Sequence, residues 1–181
     1  QPFISIIPGM PETWVAVIPS TIKRGEPFSL KVKAEDDWGN PTNKASTTLA
    51  VKSSCPIENL PELIEVNTGD FATMVPGIVA NITGPLEISL YAPDGSLAAS
   101  CNPAFVSDAP DLKSYWGDLH GQSEETLGTN SASDYFEFGR DRAFLDACAH
   151  QGNDFQMTDT FWKDLNRITS YFNEDGRYVT L

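Results

Sequence analysis

The densest set of chemically capable side chains lies in one short run, Tyr115-Trp116-Gly117-Asp118-Leu119-His120-Gly121-Gln122. On a strand, residues two apart share a face. Asp118, His120 and Gln122 are therefore expected to project together at the strand's C-terminal end. A carboxylate beside an imidazole can hold a divalent metal, or act as a base with its orienting partner. The same two residues also serve elsewhere as a plain hydrogen-bonded pair. Glu124 and Glu125 follow and add oxygen ligands, and Asp159 is expected at the end of the next strand, at the same mouth. Open parallel sheets and barrels gather their active sites there. The candidate catalytic residues are Asp118 and His120. The candidate metal ligands are His120, Asp159, Asp118, Gln122 and Glu124.

These residues need a parallel sheet behind them, and the second half of the chain reads as one. Lys113–His120 reads as a strand. Ser131 is a helix N-cap candidate, and Tyr135 to Cys148 follow at helical spacing, stopped by His150-Gln151-Gly152-Asn153. Asp154–Thr158 reads as a short strand. Asp159 or Thr160 caps a second helix with the stripe Phe161, Trp162, Leu165, Ile168, Phe172. Arg177–Leu181 starts a third strand. The order β-α-β-α-β implies parallel pairing with right-handed crossovers. In this scheme His150 falls between a helix and the following strand, the side that carries stability, and reads as structural.

The first half changes period. Phe28-Ser29-Leu30-Lys31-Val32-Lys33-Ala34 alternates apolar and polar, as a half-buried strand does. Asp36-Asp37-Trp38-Gly39-Asn40-Pro41 then breaks it with turn residues. Trp14–Ile18, Thr48–Lys52, Phe71–Val75, Ile78–Ile82, Leu86–Ala92 and Leu97–Ser100 are further strands, the last two joined by a tight turn at Pro93-Asp94-Gly95. Short strands at this spacing predict an antiparallel, immunoglobulin-like β-sandwich. The expected domains are 1–110 and 111–181, with Asp108-Ala109-Pro110-Asp111 as linker. Cys55 and Cys101 form a disulfide or remain two free thiols; Cys148 reads as a small buried hydrophobe. Asn81-Ile82-Thr83 matches a glycosylation sequon.

Twelve basic residues stand against 25 acidic ones, a net charge of -13. Residues 1–110 carry 6 basic and 12 acidic side chains, and residues 111–181 carry 6 and 13. Acidity spread this evenly leaves no basic face for nucleic acid. No apolar run is long enough to span a membrane. No G-x-G-x-x-G fingerprint or G-x-S-x-G elbow is present.

The run from Tyr115 to Glu125, with Gly128-Thr129-Asn130-Ser131, Ala143-Phe144-Leu145-Asp146, His150 to Gln156 and Thr158-Asp159, resembles a bacterial family of unknown function. That family is related to the PHP (polymerase and histidinol phosphatase) metal-dependent hydrolases. Arg24 to Phe28 and Asp37 to Pro41 resemble the β-sandwich that precedes the barrel in such proteins. The resemblance implies a mixed fold: a β-sandwich followed by the first β-α-β-α-β part of an incomplete PHP-like α/β barrel. His120 matches the first histidine of the H-x-H motif and Asp159 the aspartate of T-D-H. Gln122 and Thr160 stand where histidines would be, and both are poorer ligands for zinc-like ions. The resemblance implies a divalent metal (Zn, Mn or Fe), a small phosphorylated or related substrate, and a fragment that is inactive alone.

Two functions follow as expectations. One is the N-terminal part of a phosphoesterase-type hydrolase. The other is a non-catalytic β-sandwich binding or structural module, with exposed loop aromatics such as Trp38 as anchors. A periplasmic or extracellular location, and self-association through an open sheet edge, complete the expectations.

Overall fold

The computed structural model describes residues 7–110 and 112–181. Asp111, the last residue of the expected linker, lies outside them. The chain divides into two compact units, Gln1–Ser114 and Tyr115–Leu181.

The first unit is built from twelve strands among the described residues: β1 Thr13–Val17, β2 Thr21–Lys23, β3 Pro27–Glu35, β4 Pro41–Thr42, β5 Thr47–Ser53, β6 Ile57–Glu58, β7 Leu63–Val66, β8 Thr73–Ala80, β9 Gly84–Leu86, β10 Ile88–Tyr91, β11 Leu97–Ser100 and β12 Ala104–Ser107. One sheet runs β1-β3-β8-β6, with β4 also on β3. A second runs β11-β10-β5-β7, and a short third runs β2-β12-β9. All pairs are antiparallel except β2 with β12. The inward residues of the three sheets meet in a single apolar core. Phe28, Leu30, Val32 and Ile78 come from the first sheet, Leu49, Ile64, Ile88 and Leu90 from the second, Ile22, Leu86 and Val106 from the third. This is a β-sandwich: each sheet buries one face against another and leaves its other face to solvent.

Two expected strands, Phe71–Val75 and Ile78–Ile82, are one strand here. β8 runs through Pro76-Gly77, where its register against β3 shifts between Phe28 and Leu30. Gly77 has φ +76°, a conformation that favours glycine, and Pro76 has no N–H to lose from the ladder. Conversely, the expected strand Leu86–Ala92 splits. β9 pairs with β12 and β10 with β5 and β11, so the chain changes sheets at Glu87. Cys55 and Cys101 are free thiols packed at the rim of the core.

The second unit holds β13 Gly117–Gly121, α1 Ala132–Glu137, a π-turn over Phe138–Arg142, β14 Ala147–His150, a 3-10 turn over Asp154–Gln156, α2 Asp159–Phe172 and β15 Val179–Thr180. The strands form a parallel sheet in the order β13-β14-β15. Ser131 caps α1 in a capping box with Asp134, and the Thr158 hydroxyl caps α2. Ala132, Phe136, Cys148, Leu165, Phe172 and Tyr178 form its small core. The Tyr178 hydroxyl donates to the Phe136 carbonyl at 3.1 Å. Gly139 lets that core close, since a Cβ there would sit 2.5 Å from Cys148 Sγ and 2.7 Å from Tyr178 Oη.

Two expectations are corrected. The PHP-like α/β barrel is not what the chain forms: strand, most of it in the sandwich, is the predominant regular structure of its described residues, at 39%. Three parallel strands with helices of 6 and 14 residues are far from a closed eight-stranded wall. The second strand of the parallel sheet is Ala147–His150, not Asp154–Thr158. The helix stops early because the π-turn runs into Phe144 at φ +63°. A left-handed stop at a non-glycine residue leaves no mark in the sequence.

Candidate functional site

The carboxyl ends of β13 and β14 carry the residues with chemical potential. β13 is irregular there, because its register against β14 shifts between Asp118 and Gly121. The bulge interrupts the strict alternation that would align Asp118, His120 and Gln122. Asp118 Oδ1 accepts a hydrogen bond from the His120 backbone N–H at 3.0 Å, a local turn rather than a side-chain pair. His120 itself is exposed, as is Glu124. Asp159 is also exposed and is the first residue of α2, not the end of a strand. Gln122 turns inward, and its Oε1 is buried without a hydrogen-bond partner.

Asp118, His120, Gln122, Glu124 and Asp159 therefore do not converge. Among the described residues no group of three or more His, Cys, Asp or Glu side chains is arranged to hold a metal ion. The described residues do not fit the divalent centre that the PHP resemblance implies.

A different pair does meet. His150 ends β14 beside Gly121, and its Nε2 lies 2.8 Å from the fully buried Ser123 Oγ. The imidazole stands edge-on to the rings of Tyr135 and Phe161. Its Nδ1 is buried and unpartnered. Burial pushes the imidazole pKa down, opposed by the charge of Glu125, so the ring is held in its neutral form. The Tyr135 hydroxyl sits 3.2 Å from both the Asp118 and Ala149 carbonyl oxygens, tying the two strands where the bulge opens them. Burial above all pushes that phenol up, so it stays a donor. No room exists at Gly121 for a side chain, because a Cβ would overlap the Tyr135 ring. The sequence reading assigned His150 to a helix end and missed this pair. The available signal was the small apolar run Ala147-Cys148-Ala149 closing on a polar residue, but a run that short reads equally as helix.

The second candidate is the β3–β4 turn of the sandwich. Asp36 is only 4% exposed, and its carboxylate organises the turn. Oδ2 accepts from the Gly9 N–H at 2.8 Å. Oδ1 accepts from the N–H groups of Trp38 at 3.0 Å and Asn40 at 2.9 Å, and the Asn40 amide donates to both oxygens. The Gly9 N–H foremost, then those of Asn40 and Trp38, hold this carboxyl at about 2 against the opposing effect of burial. Gly39 completes the turn at φ +76°. On this locked turn the Trp38 indole stands 87% exposed.

Comparison with known proteins adds little beyond the fold. No family model matches the chain. The kinship with PHP-related hydrolases is accordingly corrected: it rested on short strings of local sequence, and neither the family models nor the architecture supports it. An uncharacterized protein of Chlamydia pneumoniae is 27% identical over 169 residues, covering 90% of this chain and 27% of its own length. An uncharacterized protein of Chlamydia muridarum matches with the same identity and coverage. The chain thus spans about a quarter of the length of the curated relatives it matches. Among solved structures, the D00-D0 domain of intimin is 13% identical with a TM-score of 0.42, covering 55% of this chain and 50% of that one. The Lin-41 filamin domain is 12% identical with a TM-score of 0.34, covering 56% of this chain and all of its own. At such scores neither transfers a role. No helix among the described residues is long and apolar enough to cross a membrane.

Proposed function

We propose that the chain works through its β-sandwich as a non-catalytic binding module, with Trp38 as a contact residue. The observation that carries this reading is the Asp36 turn. Five hydrogen bonds to one buried carboxylate fix a loop whose product is an indole held in water. Pre-ordering of that kind removes the entropy that a mobile loop would lose on binding. Exposed, rigidly held aromatics are the side chains that dominate contact energy. The partner is a protein or polymer outside the cytoplasm, consistent with an acidic, self-repelling surface.

The test is binding of the chain to immobilised purified cell-surface polysaccharides and matrix proteins, read beside Trp38→Ala. The expected result is saturable binding that weakens at least tenfold in the variant, the scale of a contact hot spot, with an unchanged melting temperature. Binding that ignores Trp38→Ala, or no binding across the panel, overturns the reading. Recovery of the chain solely in the cytosolic fraction of source cells would overturn the location.

A further inference from the structure

The outer face of the β11-β10-β5-β7 sheet carries an apolar band that the fold does not use. The registers place Leu97 opposite Tyr91, Tyr91 opposite Ala50, and Ala50 opposite Leu63. One row thus crosses all four strands with apolar or aromatic side chains. Leu97 and Leu63 are 58% and 59% exposed. Leu49, Leu90 and Ile64, adjacent to Ala50, Tyr91 and Leu63, point into the core, and Ala98 beside Leu97 packs against it where the register shifts, so this row faces water. Ala50 is the smallest member, and the row dips there into a groove of about 460 Å³ bounded by Thr48, Lys52, Leu63, Tyr91 and Pro93.

Lys52 closes one end of the groove. Its Nζ lies 4.7 Å above the centre of the Tyr91 ring. Among the described residues it has no carboxylate partner, in a chain with 25 acidic residues. Eight of the twelve basic residues are in ion pairs, and Lys44 donates instead to the Pro8 carbonyl; Lys52 is the basic residue that borders this groove. An ammonium stacked on a ring beside an empty apolar groove is placed for an anion brought from outside.

We infer that this groove binds an extended polypeptide segment in which an apolar side chain and a single carboxylate stand two residues apart, and so share a face. The apolar side chain sits over Ala50 between Tyr91 and Leu63, and the carboxylate meets Lys52. The net charge of -13 repels a partner that is acidic throughout, so the segment belongs to a neutral or basic protein. This rests on reading the sandwich as a binding module, and is independent of the Trp38 turn.

The probes are six-residue capped peptides, uncharged elsewhere, with Leu and, two residues on, Glu, Gln or Lys (written Leu-Glu, Leu-Gln and Leu-Lys), or with Ser in place of Leu before Glu (Ser-Glu), titrated into the isotope-labelled chain and followed by amide NMR shifts. The expected result is saturable shifts at Ala50, Lys52, Leu63 and Tyr91 with Leu-Glu. Leu-Gln should bind about fivefold more weakly, the upper end for an exposed ion pair. Lys52→Gln should abolish the preference for Leu-Glu over Leu-Gln. Ala50→Leu, which fills the groove on a solvent face, should weaken every Leu peptide. Equal binding of Leu-Glu and Leu-Lys, or shifts confined to other surfaces, overturns the inference. Shifts at these residues that grow with protein concentration before any peptide is added also overturn it, because a second copy would then be the occupant. Loss of all polymer binding in Trp38→Ala with these peptide shifts intact would separate the two sites. Peptide failure with polymer binding intact would overturn this inference alone.

Discussion

The two units bury polar groups in opposite ways. In the sandwich, the buried Asp36 carboxylate is met by five hydrogen bonds, from Gly9, Trp38 and Asn40. In the second unit, His150 makes one side-chain hydrogen bond, to Ser123, and leaves Nδ1 buried and unpaired, as Gln122 leaves Oε1. Their cores differ likewise. The sandwich core is aliphatic and drawn from three sheets. The core of the second unit is small and centred on aromatic rings and one thiol. Among its described residues the sandwich leaves no buried side-chain polar atom unpartnered, and such a region with a large core is built to hold shape. One with unmet buried groups stores a defect that a change in conditions can exploit.

The largest expected effects test whether the two units fail independently. Leu30→Ala removes a fully buried side chain from the sandwich and should lower its stability by about 2–5 kcal/mol. Amide exchange should speed up across β3 and β8 and stay unchanged in α2. Gly139→Ala should do the reverse. It drives a methyl into Cys148 and Tyr178, for about 1–3 kcal/mol of overpacking, read as faster exchange in α1, α2 and β14 alone. Exchange that speeds up in both units for either variant would break the comparison.

A smaller effect sharpens it. The His150 pKa is depressed in the fold, so the unfolded chain binds the proton more tightly. Its contribution is complete above the ordinary value of 6.5 and is lost as pH falls from there through the folded value. The Asp36 carboxyl is also depressed, so its contribution is complete above 3.8 and is lost only as pH falls toward about 2. On acidification the second unit should loosen first, while the sandwich holds to below pH 4. Thermal melts followed unit by unit from pH 8 to pH 2 check this order. His150→Asn should flatten the upper step alone.

Much of the sandwich was legible because alternation and turn chemistry are local. β3 follows its period-two pattern, with Phe28, Leu30, Val32 and Ala34 buried. The Pro93-Asp94-Gly95 turn forms as its residues dictate, with Asp94 accepting from Ser96 and Gly95 at φ +84°. The Asp36–Asn40 segment was legible as a turn, though not as a rigid mount for Trp38, since that depends on Gly9 arriving from 27 residues away. The sheet change at Glu87 and the bulge at Pro76-Gly77 were not legible, because pairing partners decide them. In the second unit the Ser131 cap and the α2 stripe Phe161, Leu165, Ile168 and Phe172 could be read, although Trp162, expected in that stripe, is exposed. The bulge in β13 and the left-handed Phe144 could not, and together they displaced the candidate residues. Familiar strings around His120 and Asp159 then suggested a barrel that the chain does not build.

One pairing in the sandwich has a mechanical meaning. β2 near its start and β12 near its end run parallel, Thr21 to Lys23 beside Phe105 to Ser107. Asn102 adds hydrogen bonds to the backbone of Ile18 just before β2. Tension applied along the chain from both sides pulls these two strands in opposite directions along their length. The bonds between them are then loaded together in shear instead of opening one after another like a zip. A domain wired in this way resists being drawn apart by its ends, whatever lies beyond them.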